Sequence, residues 1–188
     1  NEVKEVMKKF NEKYGEIDFI VHSIAFANRE DLGGDFSDLS KDGFTLALET
    51  SSYSLVTIAR EASKYFSKDG ASVISMTFDA STKVYPGYNV MGTAKAALEN
   101  INRQLSAQFG PNKTRFNSIS AGPLPSLSAR SIPGFTEMRK AHEERSPIKR
   151  PITHEEVANT ALFLISDMSS GITGSIIPVD GGYGIIAL

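Results

Sequence analysis

Residues 71–121 decide the fold. They open on Ala71-Ser72-Val73-Ile74-Ser75-Met76-Thr77-Phe78, just after the turn signal Asp69-Gly70. From near Pro86 to about Phe109 runs a segment rich in small residues, with Gly92, Ala94, Ala96 and Ala97 on it. The stretch closes on Lys113 to Ile119, which leads into Ser120-Ala121-Gly122-Pro123. The outer pieces are short, apolar and non-alternating, the pattern of strands buried on both faces. The middle piece reads as a helix. A strand, a helix and a strand in that order form a parallel crossover unit, since a parallel pair needs a long connection.

The same alternation extends in both directions. Upstream, Ile17-Asp18-Phe19-Ile20-Val21-His22-Ser23-Ile24 reads as a buried strand, preceded by an amphipathic helix with Val3, Val6, Met7, Phe10 and Tyr14 at helical spacing and Gly15 at its end. Asn28 to Ser40, with Gly33-Gly34, is polar and reads as a surface loop. Ser40 then caps a long helix whose buried stripe is Leu48, Leu55, Val56, Ala59, Ala62 and Phe66. Downstream, Ser126 to Arg145 is helical in parts and interrupted around Pro133-Gly134. Thr153 and Glu156 form a capping box that opens a helix to about Ser166. Ser175 to Val179 is a last strand, closed by Asp180-Gly181-Gly182. The predicted class is α/β, a doubly wound, Rossmann-like parallel sheet, with residues 1–188 forming one domain.

Composition narrows the functional classes. Of 188 residues, 40% are apolar and 22% charged, enough for a substantial core. Twenty basic against 22 acidic side chains leave a net charge of −2, which argues against a nucleic-acid or polybasic membrane surface. No run approaches the roughly 20 apolar residues needed to span a bilayer. With no cysteine there is no disulfide framework and no thiolate nucleophile, which fits a reducing, cytoplasmic setting. His22, His142 and His154 lack metal-ligand spacing, so no metal is expected.

A dinucleotide fold normally begins with a strand, a Gly-rich turn and a helix whose N-terminus receives the pyrophosphate. Neither Gly33-Gly34 nor Gly171 and Gly174 sits between a strand end and a helix start. The chain opens instead on a helix that feeds its first strand. The expectation is therefore that the first βαβαβ portion is missing, leaving residues 17–24 as an exposed apolar edge and cofactor binding impaired.

The chemistry centres on Tyr88 and Lys95. Seven residues are nearly two helical turns, so the two side chains share a face about 10 Å apart along the axis. A nearby ammonium is expected to lower the phenol's pKa and prepare it to share a proton. The spacing alone is weak, and its context gives it meaning.

That context is similar to one family. His22-Ser23-Ile24-Ala25-Phe26-Ala27, Ser51-Ser52-Tyr53-Ser54, Tyr88-Asn89-Val90-Met91-Gly92, Ala94-Lys95-Ala96, Asn117 to Pro123, Leu164 to Asp167 and Val179-Asp180-Gly181-Gly182 carry the likeness. With these segments the chain, over essentially all its residues, resembles the enoyl-acyl carrier protein reductases, a branch of the short-chain dehydrogenase/reductase superfamily. The resemblance implies reduction of the 2,3 double bond of trans-2-enoyl-acyl carrier protein in fatty acid biosynthesis, with NADH, or alternatively NADPH, as cofactor. It implies that Tyr88 binds the thioester oxygen as charge develops there and that Lys95 holds the nicotinamide ribose. By the same likeness Ile24, Ala25, Leu124, Pro125, Ser126, Leu127 and Ser128 line the cofactor. Ala27, Phe78, Met91, Ile132 and Phe135 would meet the substrate. A homotetramer is implied, packed through helices near residues 44–66 and 88–109.

Two positions depart from the family pattern. Phe78, ten residues before Tyr88, stands where a second Tyr is usual, so no hydroxyl acts there. Leu124-Pro125-Ser126 stands where Ile-Arg-Thr is usual, keeping a hydroxyl but losing a cation and a backbone donor. Two other readings stay open. Ser75, thirteen residues before Tyr88, has the spacing of the carbonyl-binding Ser of ketoacyl-type reductases, although a structural strand Ser is the favoured reading. The other is a non-catalytic fragment that keeps only oligomer contacts.

Overall fold

Four strands lie in chain order, each parallel to its neighbour: β1 (Phe19–His22), β2 (Ser72–Thr77), β3 (Arg115–Ala121) and β4 (Ile176–Val179). This computed structural model describes residues 2–126, 129 and 132–187. α1 (Glu2–Tyr14) precedes β1, and between the strands run α2 (Lys41–Leu48), α3 (Ser54–Ala62), α4 (Asn89–Phe109), α5 (Phe135–Arg145) and α6 (His154–Ile165).

Alternation along β2 and β3 sends side chains to two cores. Val73 and Phe116 pack with Leu55, Ala59, Leu98 and Leu105 of α3 and α4. Ile74 and Ile119 face the other way, against Val157 and Leu164 of α6. Both sheet faces are therefore covered, which is why the strands read as continuous apolar runs. β1 lies at the edge, bonded only to β2 among the described residues, and leaves Phe19 and Val21 52% and 48% exposed. The stripe of α1 also stays largely open, with Val6, Phe10 and Tyr14 all exposed.

The expected caps form. Ser40 Oγ accepts the Gly43 N–H at 2.9 Å. Thr153 and Glu156 make the reciprocal pair, Glu156 N–H to Thr153 Oγ1 at 3.2 Å and Thr153 N–H to Glu156 Oε2 at 2.8 Å. The long helix expected from residue 44 to 66 is instead interrupted. One π-turn, Glu49–Tyr53, separates α2 from α3 and turns Ser51 and Ser52 inward. Ser51 Oγ accepts the Phe26 N–H at 3.0 Å and donates to Phe26 O at 3.1 Å, while Ser52 Oγ donates to Ala94 O at 2.7 Å. The interruption thereby pins the segment after β1 to α4. Strand 17–24 is shorter than its apolar run, ending at His22, whereas β3 continues two residues past the predicted Ile119.

Candidate active site

Ligands of open α/β sheets bind beyond the carboxyl ends of the strands. A cavity of about 480 Å³ lies there, its walls drawn from β1, β2, β3, α4, α5 and α6. A larger groove of about 600 Å³ lies at the opposite, amino ends, between Asp18, Lys113, Arg115 and Asp167, and brings no comparable set of reactive groups together.

Tyr88 and Lys95 both line the 480 Å³ cavity. Tyr88 is the residue before α4 rather than part of it, and the next residue, Asn89, has φ +29°. Asn89 Nδ2 donates to Gly33 O at 2.9 Å and Gly34 O at 3.2 Å, tying the 28–40 loop to the helix start. Lys95, the one buried cation of α4 among the described residues, donates from Nζ to Met76 O at 2.8 Å at the end of β2. An ammonium has three protons, so that bond leaves donors for a ligand.

The expectation that Lys95 lowers the Tyr88 pKa does not hold. Burial pushes the phenol up to about 12. Burial also draws Lys95 down to about 8, against the pull of the Glu99 carboxylate. Desolvation disfavours the charged form of each group, and for Lys95 it outweighs the attraction of Glu99. Glu99 itself accepts the Thr77 hydroxyl at 2.7 Å.

His22, between the cavity-lining Val21 and Ser23, is itself off the wall and buried against Ser54. Ser54 Oγ spends its proton on Thr50 O at 2.6 Å, so His22 Nε2–H donates to Ser54 at 2.8 Å. Burial and the nearby Lys95 lower the His22 pKa to about 4, and its Nδ1 has no partner among the described residues.

Of the other expected site residues, Leu124, Ser126, Phe78, Ile132 and Phe135 line the same cavity. Ser126 Oγ accepts the Ala129 N–H at 3.1 Å and keeps its own proton. Ile24 and Ala25 are exposed just past β1 and do not line it, nor does exposed Pro125. Met91 is not on the wall: it is buried behind Phe78 and Tyr88, its Sδ 3.8 Å from Ser51 Oγ. Ala27 packs against that same cluster. Leu127 and Ser128 lie outside the described residues. Ser75 is buried and shares a 2.6 Å hydrogen bond with Ser118, away from the cavity wall.

Sequence reasoning missed Met76, Ser23, Met138 and the α6 residues His154, Val157 and Ala161, which also line the cavity. The capping box announces α6, but which face of it meets the site depends on how it crosses the sheet. No candidate metal cluster occurs among the described residues.

The comparisons agree with this geometry. A family model described as Enoyl-(Acyl carrier protein) reductase matches residues 1–184. The NADH-dependent enoyl-acyl carrier protein reductase of Synechocystis is 44% identical over 187 residues, 100% of this chain and 72% of that protein. The NADPH-dependent enzyme of Staphylococcus aureus is 46% identical over 182 residues, 97% of this chain and 71% of its own. The crystal structure of the Bacillus cereus reductase with NADP+ and an indole naphthyridinone superposes with a TM-score of 0.96 at 42% identity, covering 99% of this chain and 72% of that one. That of Anaplasma phagocytophilum with NAD gives 0.94 at 35% identity, covering 99% and 71%. The apolar cavity that Tyr88 and Lys95 share thus sits on the backbone of these enzymes, and the chain belongs to the enoyl-acyl carrier protein reductase family.

Proposed function

We propose that this protein reduces the 2,3 double bond of trans-2-enoyl chains on acyl carrier protein in fatty acid biosynthesis, using NADH or NADPH. One observation carries the reading: a buried phenol and a buried ammonium line a single, largely apolar cavity at the carboxyl ends of β2 and β3.

The residues present fit a nicotinamide nucleoside. Lys95 has ammonium protons left for ribose hydroxyls, Ser23 and Ser126 offer hydroxyls, and Met76 and Leu124 offer apolar surface for a ring. When bound, the reduced nicotinamide supplies the hydride. Hydride addition at the β-carbon would move the double-bond electron pair onto the thioester oxygen as an enolate, and a proton taken up from water at the α-carbon would complete the saturation. Tyr88, kept protonated by burial, donates a hydrogen bond to that oxygen, and such a donor is worth most where charge exists chiefly in the transition state. Lys95 supplies positive potential to the same space. Phe78, Ile132 and Phe135 exclude water and hold the acyl chain.

A ketoacyl-type reduction would need Ser75 at the cavity, and its hydroxyl is instead bonded to Ser118. A homotetramer in a cytoplasmic setting is part of the same reading. α2 and the following turn leave Phe44, Leu46 and Tyr53 exposed, apolar surface suited to a subunit contact.

The test compares crotonyl and acetoacetyl thioesters by loss of reduced-nicotinamide absorbance. Crotonyl reduction is expected, and Tyr88→Phe should lower kcat by about 10²–10³ while cofactor binding persists. Reduction of the keto substrate alone would overturn the reading.

A further inference from the structure

A second polar cluster lies behind the cavity and plays no part in the chemistry above. Tyr85 Oη donates to Asp79 Oδ2 at 3.3 Å and lies 3.2 Å from His142 Nε2 on α5. A phenol has one proton, so with Asp79 as its acceptor the remaining bond runs from His142 Nε2–H to the Tyr85 oxygen. Lys83 Nζ sits 3.0 Å from Asp79 Oδ2 and donates to Gly184 O at 3.0 Å. On the other side the His142 ring stacks on Tyr183, centroids 3.6 Å apart. Asp180 holds that C-terminal turn by accepting the N–H groups of Gly182 and Gly184 at 2.8 and 2.7 Å. Buried His142 is therefore clamped from two sides, by a hydrogen bond and by an aromatic face.

The clamp touches the site through shared side chains. Phe78 packs on Tyr85 and on Tyr88, with centroids 4.7 and 5.3 Å apart. Met138 lies one helical turn before His142 on α5, on the same face, and lines the acyl cavity with Ile132 and Phe135. Burial holds His142 at a pKa of about 4 despite Asp79 and Asp180, with Lys83 adding to the lowering, so the ring acts as a neutral hydrogen-bonding group.

We propose that Tyr85 and His142 are positioning residues: their hydrogen bond docks α5 against the Asp79–Tyr85 segment and so sets the Ile132–Phe135–Met138 wall of the acyl cavity. The effect on catalysis rests on the function proposed above; the docking itself does not.

Amide hydrogen exchange of the whole chain, without substrate, tests the docking. Tyr85→Phe and His142→Phe keep the rings and remove the bond. Each should speed exchange across residues 135–145 about three- to tenfold, the worth of one net hydrogen bond, while α4 and α6 stay unchanged. The double variant should exchange no faster than Tyr85→Phe alone, because that single change already removes the shared bond together with the one to Asp79. In the enzyme assay, KM for the enoyl thioester should rise by a similar factor, with kcat and the cofactor KM within about twofold. Unchanged exchange in α5, a uniform increase over all helices, additive single effects, or faster exchange without a KM change would each overturn the proposal. Absence of enoyl reduction in the unmodified protein would defeat the function, and the exchange result would still decide the docking.

Discussion

Tyr88 and Lys95 meet in one cavity, and burial moves their protonation equilibria in opposite directions, up to about 12 and down to about 8. The phenol is thus a neutral donor throughout the neutral range. Lys95 is the group that titrates. In the proposed reaction its positive charge would serve the ribose and the developing oxyanion, so kcat/KM for the cofactor should fall as pH rises through about 8, the limb belonging to the free enzyme. A profile flat to pH 10 in initial-rate kinetics would remove Lys95 from that role. The Tyr88–Lys95 spacing was legible in the chain because it is a local, helical distance. The sign of the pKa change was not. It depends on Met76, Phe78 and Leu124 arriving from other elements to exclude water, and a spacing holds no record of that. Tyr85 and His142 are illegible for a related reason. They lie 57 residues apart, and nothing in either segment marks one as the other's partner.

On the scale of helices and strands, Gly92 shows what the small-residue segment is for. A Cβ there would lie 2.8 Å from Ala80 O, so α4 approaches the turn after Phe78 more closely than any side chain permits. Helix propensity favours Ala over Gly by about 1 kcal/mol, but overpacking against backbone costs about 1–3 kcal/mol. Gly92→Ala should therefore lose up to about 2 kcal/mol of stability by urea denaturation and weaken enoyl reduction, because Phe78 moves with that turn. An increase in stability would show that the turn yields freely. The strands, both caps and the order of elements could be read because period, capping chemistry and glycine turns are local signals. The π-turn at 49–53 escaped that reading. The apolar stripe from Leu48 to Phe66 looks continuous, and only the tertiary bonds of Ser51 and Ser52 repay the disrupted helix.

Across the whole molecule, two buried histidines set the acid limit. His22, facing Lys95 and Ser54, and His142, facing Asp79, Asp180 and Lys83, both have folded pKa values near 4 against 6.5 for the free side chain. Between those values the unfolded chain binds protons that the folded chain refuses. Stability is thus complete above about pH 6.5 and declines as pH falls toward 4, by on the order of 3 kcal/mol for each histidine. Urea midpoints measured between pH 7 and 4.5 should fall accordingly, and His142→Phe should flatten the slope by about half. An unchanged slope in that variant would mean that His142 is protonated within the fold. The all-parallel sheet carries a further consequence. Every strand pairs with one roughly forty to sixty residues away, so among the described residues there is no hairpin on which assembly can nucleate. On a ribosome, Phe19 emerges about fifty residues ahead of Ser72, its partner in β2. Synthesis must therefore deliver the whole α2–α3 crossover before that ladder can close, and chaperone capture or misassociation competes with folding in the interval.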